Sequence, residues 1–284
     1  MQLKSRLYAF VGVPALVLLL FFFVLPYANM LFMSFMTPGQ SGPYDPIPTL
    51  NNYLQTVSDP FNWKVLGRTL WYATLTTFIT LVLGYPMAYH MSRASSRLKG
   101  VLLMLLISPL LVGVIIRSYG WMIILADKGL INTTLMQWGL IEEPLRLMYN
   151  PFGVMVGMVH IYMPFMVLSL AGTLQGIHPD VELAGRSLGA SGWKTFWRVL
   201  WPLSLPGVFA GSILVWVLAV SAYVIPTLLG GNNVITAPML VVQTIMDKFN
   251  WPLGSAQAMG LFAGTMLIVW VYVKLMNRAM RGLQ

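Results

Sequence analysis

The stretch Leu98-Lys99-Gly100-Val101-Leu102-Leu103-Met104-Leu105-Leu106-Ile107-Ser108-Pro109-Leu110-Leu111-Val112-Gly113-Val114-Ile115-Ile116 carries a single charge, near its edge. A helix crossing roughly 30 Å of hydrocarbon needs about 20 mainly apolar residues, so this run reads as the heart of a membrane span. Five further segments have the same character. The expected spans are about 9–35, 68–91, 100–125, 152–175, 204–228 and 259–279. The first is too long for the apolar part of a signal peptide and has no small-residue cleavage site, so it reads as a retained span. The second is the least apolar, because of Thr69, Thr74, Thr76, Thr77 and Thr80. Of the 284 residues, 57% are hydrophobic and only 9% charged, and the mean hydropathy is +0.74. A soluble domain carries about 25% charged residues. The expected fold is therefore all-α integral membrane, one transmembrane domain over 1–284 with six transmembrane helices. With no Cys, disulfide-stapled secreted folds, thiolate catalysis and cysteine-held metal sites are excluded.

A net charge of +9 would fit a nucleic-acid binder, but the positions of the charges decide otherwise. Eleven of the 17 Lys and Arg fall on one side of the six spans, Arg93, Arg97, Lys99, Arg186 and Lys194 among them, with only Asp180 and Glu182 for company. The other side holds five Lys or Arg and six carboxylates, and Arg117 lies within a span. The excess of Lys and Arg marks the cytoplasmic face, which places both termini there and removes nucleic acid as a partner. Trp63, Trp71, Trp121, Trp138 and Trp251 fall near the outer ends of the spans, where amphipathic indoles favour the headgroup level.

Three outer loops, about 36–67, 126–151 and 229–258, are rich in Pro, Gly and Asn and suit short re-entrant or surface helices able to meet an external partner. The long inner loop, about 176–203, is more informative. It contains His178-Pro179-Asp180-Val181-Glu182-Leu183-Ala184-Gly185-Arg186-Ser187-Leu188-Gly189-Ala190-Ser191. Pro179 suits the first turn of a helix, and Asp180 and Glu182 complement its dipole. Gly189 suits the end of that helix and Ser191 the cap of a second, basic and amphipathic one over Gly192–Trp201. Pro202 and Pro206 then return the chain to the membrane.

At this loop the sequence resembles the membrane permeases of binding-protein-dependent ABC importers. Their cytoplasmic loop carries Glu-Ala-Ala, a Gly six residues after that Glu and a Pro thirteen after the Gly. Gly189 and Pro202 stand at that spacing, with Ala184, Gly185, Leu188, Ala190 and Ser191 around them. Leu183 occupies the place of the Glu, and the acidic residue, Glu182, stands one earlier. The likeness extends along the chain and is closest to the polyamine (spermidine/putrescine) branch. It is carried by Leu83-Gly84-Tyr85-Pro86, Ile116-Arg117-Ser118-Tyr119-Gly120-Trp121, Lys128-Gly129-Leu130-Ile131-Asn132 and Met163-Pro164-Phe165-Met166-Val167. Leu228-Leu229-Gly230-Gly231 and Trp251-Pro252-Leu253-Gly254 complete it.

The resemblance implies a MetI-like permease fold in a bacterial inner membrane. It also implies a heterodimer with a second permease, two ATPase subunits and a periplasmic substrate-binding protein. Glu182, Leu183, Ala184, Gly185, Arg186, Leu188, Gly189, Ala190 and Ser191 would then form the ATPase-coupling loop. Opine, phosphonate and ferric-ion permeases look alike and remain alternative cargo classes; a non-ABC channel or scaffold is the alternative mode of action. The residues themselves fit the division of labour. No Gly-x-x-x-x-Gly-Lys-Ser/Thr loop occurs, so ATP and Mg would be held by partner subunits, and the chain itself is read as no enzyme and without cofactor.

The expected spans contain no Asp or Glu away from their ends, as suits a conduit driven from outside the membrane. No set of buried nucleophile, acid or metal ligands can be assembled for a membrane-embedded enzyme. Aromatic faces attract ammonium groups by about 0.5–2 kcal/mol each. Tyr72, Tyr119, Trp121, Tyr162, Trp216 and Tyr223 are the candidate lining of a polycation path, with Asp127 and Asp247 near its outer mouth. Arg117 either snorkels to the outer headgroups or pairs across an interface, and its role is read as structural or gating. Met30, Met33 and Met36 have the spacing of a Cu(I) track, but with no Cys or His beside them they are read as packing, and no metal is assigned. Gly153-x-x-x-Gly157, Gly207-x-x-x-Gly211 and Gly260-x-x-x-Gly264 predict close packing of spans four, five and six.

Overall fold

The structure, a computed structural model, describes residues 13–14, 16–39 and 42–281. Positions 9–12 of the first expected span lie outside the described residues, as do Lys4 and Arg6. The chain divides into two compact units: Met1–Lys64 with Leu240–Gly264, and Val65–Met239 with Thr265–Gln284.

In the first unit, α1 (Leu16–Ser34) exposes its leucines and phenylalanines, a surface stable only in lipid or against another apolar surface. It ends where Asn52 of α2 (Asn51–Ser58) intervenes. The Asn52 amide donates to the carbonyls of Ser34 at 2.9 Å and Met36 at 2.8 Å, satisfying one acceptor that the terminating helix leaves free and one just beyond it. Between α1 and α2 lies an antiparallel hairpin of β1 (Met36–Pro38) and β2 (Tyr44–Pro48), pairing Thr37 with Asp45 and Pro38 with Tyr44.

α3 (Pro60–Arg93) is the second span, and its threonines explain how a less apolar segment spans at all. The hydroxyls of Thr69, Thr77 and Thr80 donate to the carbonyls of Val65, Ala73 and Thr76 at 2.7–2.8 Å, so none needs water. The third span is not the single helix expected over 100–125. α4 (Ser96–Leu111) stops after Pro109, Val112 and Gly113 are extended, and α5 (Val114–Leu125) with α6 (Leu130–Gln137) leaves at 96°. Pro109 lacks the N–H that would continue the ladder, and the glycine opens the turn. Beyond α6, buried Asn132 holds the irregular segment in place: its amide donates to the carbonyl of Leu145 at 2.9 Å and its oxygen accepts from the Leu145 N–H at 2.8 Å.

α7 (Pro151–Gln175) is capped by Asn150, whose side chain accepts from the Gly153 N–H at 2.9 Å. It is the most buried of the candidate spans, with Val154, Met158, Met166, Leu170 and Leu174 sealed in the core. The fifth span departs from expectation at both ends. α9 is continuous over Gly192–Val220, so the loop's second helix and the span are one element, and it stops eight residues short of 228. A π-helical stretch, Phe196–Leu200, precedes Pro202, and the Ser204 hydroxyl donates to the Trp201 carbonyl at 2.9 Å. The widened turn lies where Pro202 interrupts the ladder, and the Ser204 hydroxyl finds its acceptor within the helix, so neither demands water. The chain then folds into α10 (Pro226–Asn233) and α11 (Ala237–Met246), bent 81° apart, before α12 (Trp251–Arg281). Among the described residues five helices are long and apolar enough to cross a membrane, up to seven if each bent pair is a span. Each of the six expected spans finds such a helix or bent pair.

The glycine pairs sort themselves by environment. A Cβ at Gly207 would stand 2.6 Å from Thr173 Oγ1, and one at Gly211 2.8 Å from Met166 Sδ, so α9 lies directly on α7. Gly157 instead admits Ile225 and Leu229, and Gly153 admits the carbonyl of Leu147. Gly260 and Gly264 meet nothing within 4 Å, so the expected packing of the sixth span through its glycines is not made among the described residues. We predict that Gly207→Val lowers stability by about 1–3 kcal/mol through overpacking, whereas Gly260→Val leaves it unchanged. Thermal unfolding of the purified full chain in detergent checks the contrast.

Candidate functional site

The segment joining α7 to α9 is built from local rules. α8 (Pro179–Ser187) has Pro179 at its first position, and His178 caps it, Nδ1 accepting from the Asp180 N–H at 3.4 Å. At its other end Gly189 takes φ +82°. Its N–H donates to the Arg186 carbonyl at 2.9 Å, and the Ala190 N–H reaches the Gly185 carbonyl at 3.2 Å. This pair of bonds is a Schellman ending, and its left-handed residue is best supplied by glycine. Ser191 then caps α9, its hydroxyl accepting from the Lys194 N–H at 3.4 Å.

The tip of this helix–turn–helix presents Leu188, 90% exposed, near exposed Leu183, Trp193 and Trp197. Ala184, Arg186 and Ser191 are exposed as well, with Gly185 and Ala190 half-buried. Glu182 is the exception, at 7% exposure. It turns toward the end of α3, where the Tyr89 hydroxyl donates to its Oε2 at 2.8 Å and Arg93 Nε donates to Oε1 at 3.1 Å. Arg93 Nη2 pairs with the same oxygen, while Nη1 donates to the carbonyl of Ile177 at 2.9 Å. A carboxylate with three donors, two from a guanidinium, is held by charge-assisted bonds.

Above this contact an apolar cavity of 760 Å³ separates α3 from the start of α9, lined by Tyr85, Pro86, Tyr89, Phe196, Trp197 and Trp201 among others. Tyr85 bridges the two walls: its hydroxyl lies 2.9 Å from Ser204 Oγ and its ring 5.4 Å from that of Phe196. A second cavity of 370 Å³, lined by Thr74, Thr77, Ser212, Trp216 and Tyr272, shares Phe78 and Leu81 with the first.

The candidate path residues fall into separate places. Trp121 packs edge-on against His160 of α7 at 5.4 Å, and Arg117 lies near both His160 and buried Tyr162. Nε and Nη1 of Arg117 are buried without a hydrogen-bond partner among the described residues. Tyr72 is buried in α3, and Tyr119 and Tyr223 are exposed. Trp216 stands at the smaller cavity, donating to Thr74 Oγ1 at 3.2 Å. Asp127 is exposed after α5, and Asp247 is exposed in the other compact unit.

Residues 80–284 match the family described as binding-protein-dependent transport system inner membrane component. The chain belongs to this family. It is 33% identical over 263 residues to the spermidine/putrescine transport system permease protein PotB of Haemophilus influenzae, covering 92% of each chain. PotB of Escherichia coli K12 is 35% identical over 264 residues, covering 92% of this chain and 95% of that one. The fold matches a bacterial ABC transporter involved in the import of the acidic polysaccharide alginate, with a TM-score of 0.80 at 14% identity, over 98% of this chain and 96% of that one. The chain is thus a permease component of an ABC importer, in the inner membrane.

In this permease the loop's tip was visible in sequence and its inward anchor was not. Arg93 counts in the charge distribution as one cation among eleven, and nothing local links it to Glu182, 89 residues on. The available signal was scarcity, since Glu182 is one of only two acids on the basic side. We predict that Gly189→Val, forcing a left-handed β-branched residue, costs roughly 1–2 kcal/mol locally. Amide hydrogen exchange should rise across 185–194 and stay unchanged in the core of α7.

Proposed function

We propose that this permease passes a polyamine, spermidine or putrescine, from a periplasmic binding protein to the cytoplasm. It does so as one half of a permease heterodimer driven by two ATPase subunits. The observation that carries the cargo is the likeness to PotB, 33–35% identity over nearly the whole of both chains. The excess of Lys and Arg on one side supports a cytoplasmic α8 turn, with both termini on the same side. There the exposed Leu188, with Leu183 and the flanking backbone turn, forms the contact through which the ATPases act; ATP and Mg²⁺ are bound by those partners. Closure of the ATPase pair on ATP favours one arrangement of the loop over the other, and that differential binding is what shifts the access of the conduit.

Within this reading the rings of Tyr119, Trp121, Trp216 and Tyr223 offer π faces to ammonium groups at separate points of the way through, while Tyr162, buried, backs Arg117. Asp127 and, by its place in the outer segment of sequence, Asp247 attract the cation before entry. The second permease subunit supplies the carboxylates that balance the polycation inside the membrane, and Arg117 serves structure or gating rather than cargo contact.

The test is transport by the reconstituted complex of this chain with its ATPase, second permease and binding protein. ATP-dependent uptake of spermidine or putrescine is expected. ATP-independent flux, or preferential uptake of an opine, a phosphonate or ferric ion, would overturn the reading. Leu188→Glu places a charge at the centre of the proposed contact, where loss of a hot spot costs about 2 kcal/mol or more. Polyamine uptake should fall by more than about tenfold, with the chain still inserted in the membrane.

A further inference from the structure

We infer that Glu182, Arg93 and Tyr89 fasten α8 to the last two turns of α3, so that these pieces move as one lever pivoting at Pro86. Glu182 is on this view a positioning residue that faces inward. The inference rests on the reading of α8 as the place where the ATPases act.

Three independent features carry it. The first is the clamp. Arg93 engages both Glu182, inside α8, and the Ile177 carbonyl, ahead of α8, while Tyr89 holds the other carboxylate oxygen. Glu182 and Arg93 are largely buried, and freeing one of them would strand the other's charge. The second is a matched pair of weak points. Pro86 lies one turn before Tyr89 and removes the N–H that would bond the Val82 carbonyl. Across from it, α9 is π-helical over Phe196–Leu200. α3 stays continuous there but lacks one ladder hydrogen bond, and α9 is widened, both at the level of Tyr85, whose ring packs against Phe196 and Trp201. The third is room. The 760 Å³ cavity lies between those two weak points and is lined by Pro86, Phe196 and Leu200. The cleft is open to the surface on one side, so the clamped turns can move into it without meeting packed side chains.

The clamp also accounts for the displaced motif. A Glu at 183 would be exposed, as Leu183 is, and free to meet another protein; Glu182, one residue earlier, points the other way. A push on the α8 tip is thus delivered to α3, whose upper turns carry Thr74, Thr77 and Phe78 at the second cavity.

The chain has no Cys, so spin labels can be placed without background thiols. Val181→Cys, on α8 but away from its tip, is paired either with Met87→Cys, below Pro86, or with Phe78→Cys, above it; all three positions are exposed. In the full chain in lipid nanodiscs, the Val181–Met87 distance should be a single narrow distribution that Glu182→Gln broadens. In the complex with its ATPase, ATP with Mg²⁺ should shift Val181–Phe78 by roughly 2 Å or more while Val181–Met87 stays fixed. A Val181–Met87 distance that moves as much as Val181–Phe78, or that Glu182→Gln leaves narrow, overturns the lever. If Glu182→Gln prevents insertion, Arg93→Lys makes the same comparison, since lysine keeps the charge but loses the fork; a distribution left narrow there counts equally against it. Failure of the labelled chain with native Glu182 to bind an ATPase overturns the docking reading instead, and the nanodisc comparison still decides the clamp.

Discussion

Inside hydrocarbon a backbone N–H or C=O has no water to turn to, and every departure from a regular helix must be satisfied by the protein itself. That constraint explains where this permease is regular and where it is not. Its prolines remove donors at Pro86, Pro109, Pro164, Pro202 and Pro206, yet only Pro109 coincides with a sharp break. At Pro109 a glycine follows within four residues and the chain can leave at a wide angle. At Pro202 a π-helical stretch comes just before the missing donor, and the helix continues through it and through Pro206. The threonines of α3 obey the same rule from the other direction, returning their hydroxyls to carbonyls one turn back.

Close approach of α7 and α9 follows from the same economy of polar groups. With lipid as apolar as leucine, helices gain by packing density rather than by hiding from water, and Gly207 and Gly211 give α9 that density against Thr173 and Met166. The helix–turn–helix grows out of these two packed elements, since α7 leads into it and α9 leads out. Its base is fixed by the core of the second unit while its tip stands in the open.

Much of this was legible in the chain, for reasons that differ by element. Spans announce themselves because a window of about 20 residues sums hydropathy without regard to detail. The same summation hides the bend at Val112 and Gly113, since both arms are apolar, and it made the helix from Gly192 to Val220 look like two pieces because Pro202 reads locally as a stop. Capping is local chemistry, so Pro179, Gly189 and Ser191 could be placed within a few residues. The clamp joins Arg93 to Glu182 through tertiary folding alone, and no periodicity or spacing encodes it. The glycine pairs were half legible: the motif marks where close approach is permitted, not whether a neighbour takes the place, and at Gly260 none within the described chain does.

The shift of the acidic residue by one position then has a physical meaning beyond a departure from pattern. On a helix, neighbouring residues point about 100° apart, so moving a carboxylate from 183 to 182 exchanges an outward contact for an inward one. An outward ionic contact strengthens docking but leaves the docked helix free to rock on its own chain. An inward one does the reverse, tying the loop to its own chain and leaving the exposed tip around Leu188 apolar. Exposed ion pairs are worth little at physiological salt, while a largely buried, three-donor carboxylate resists displacement because separation strands a charge. An apolar contact in the same place would hold α8 against α3 without fixing its direction, whereas the forked guanidinium and the tyrosine hydroxyl fix both oxygens of the carboxylate.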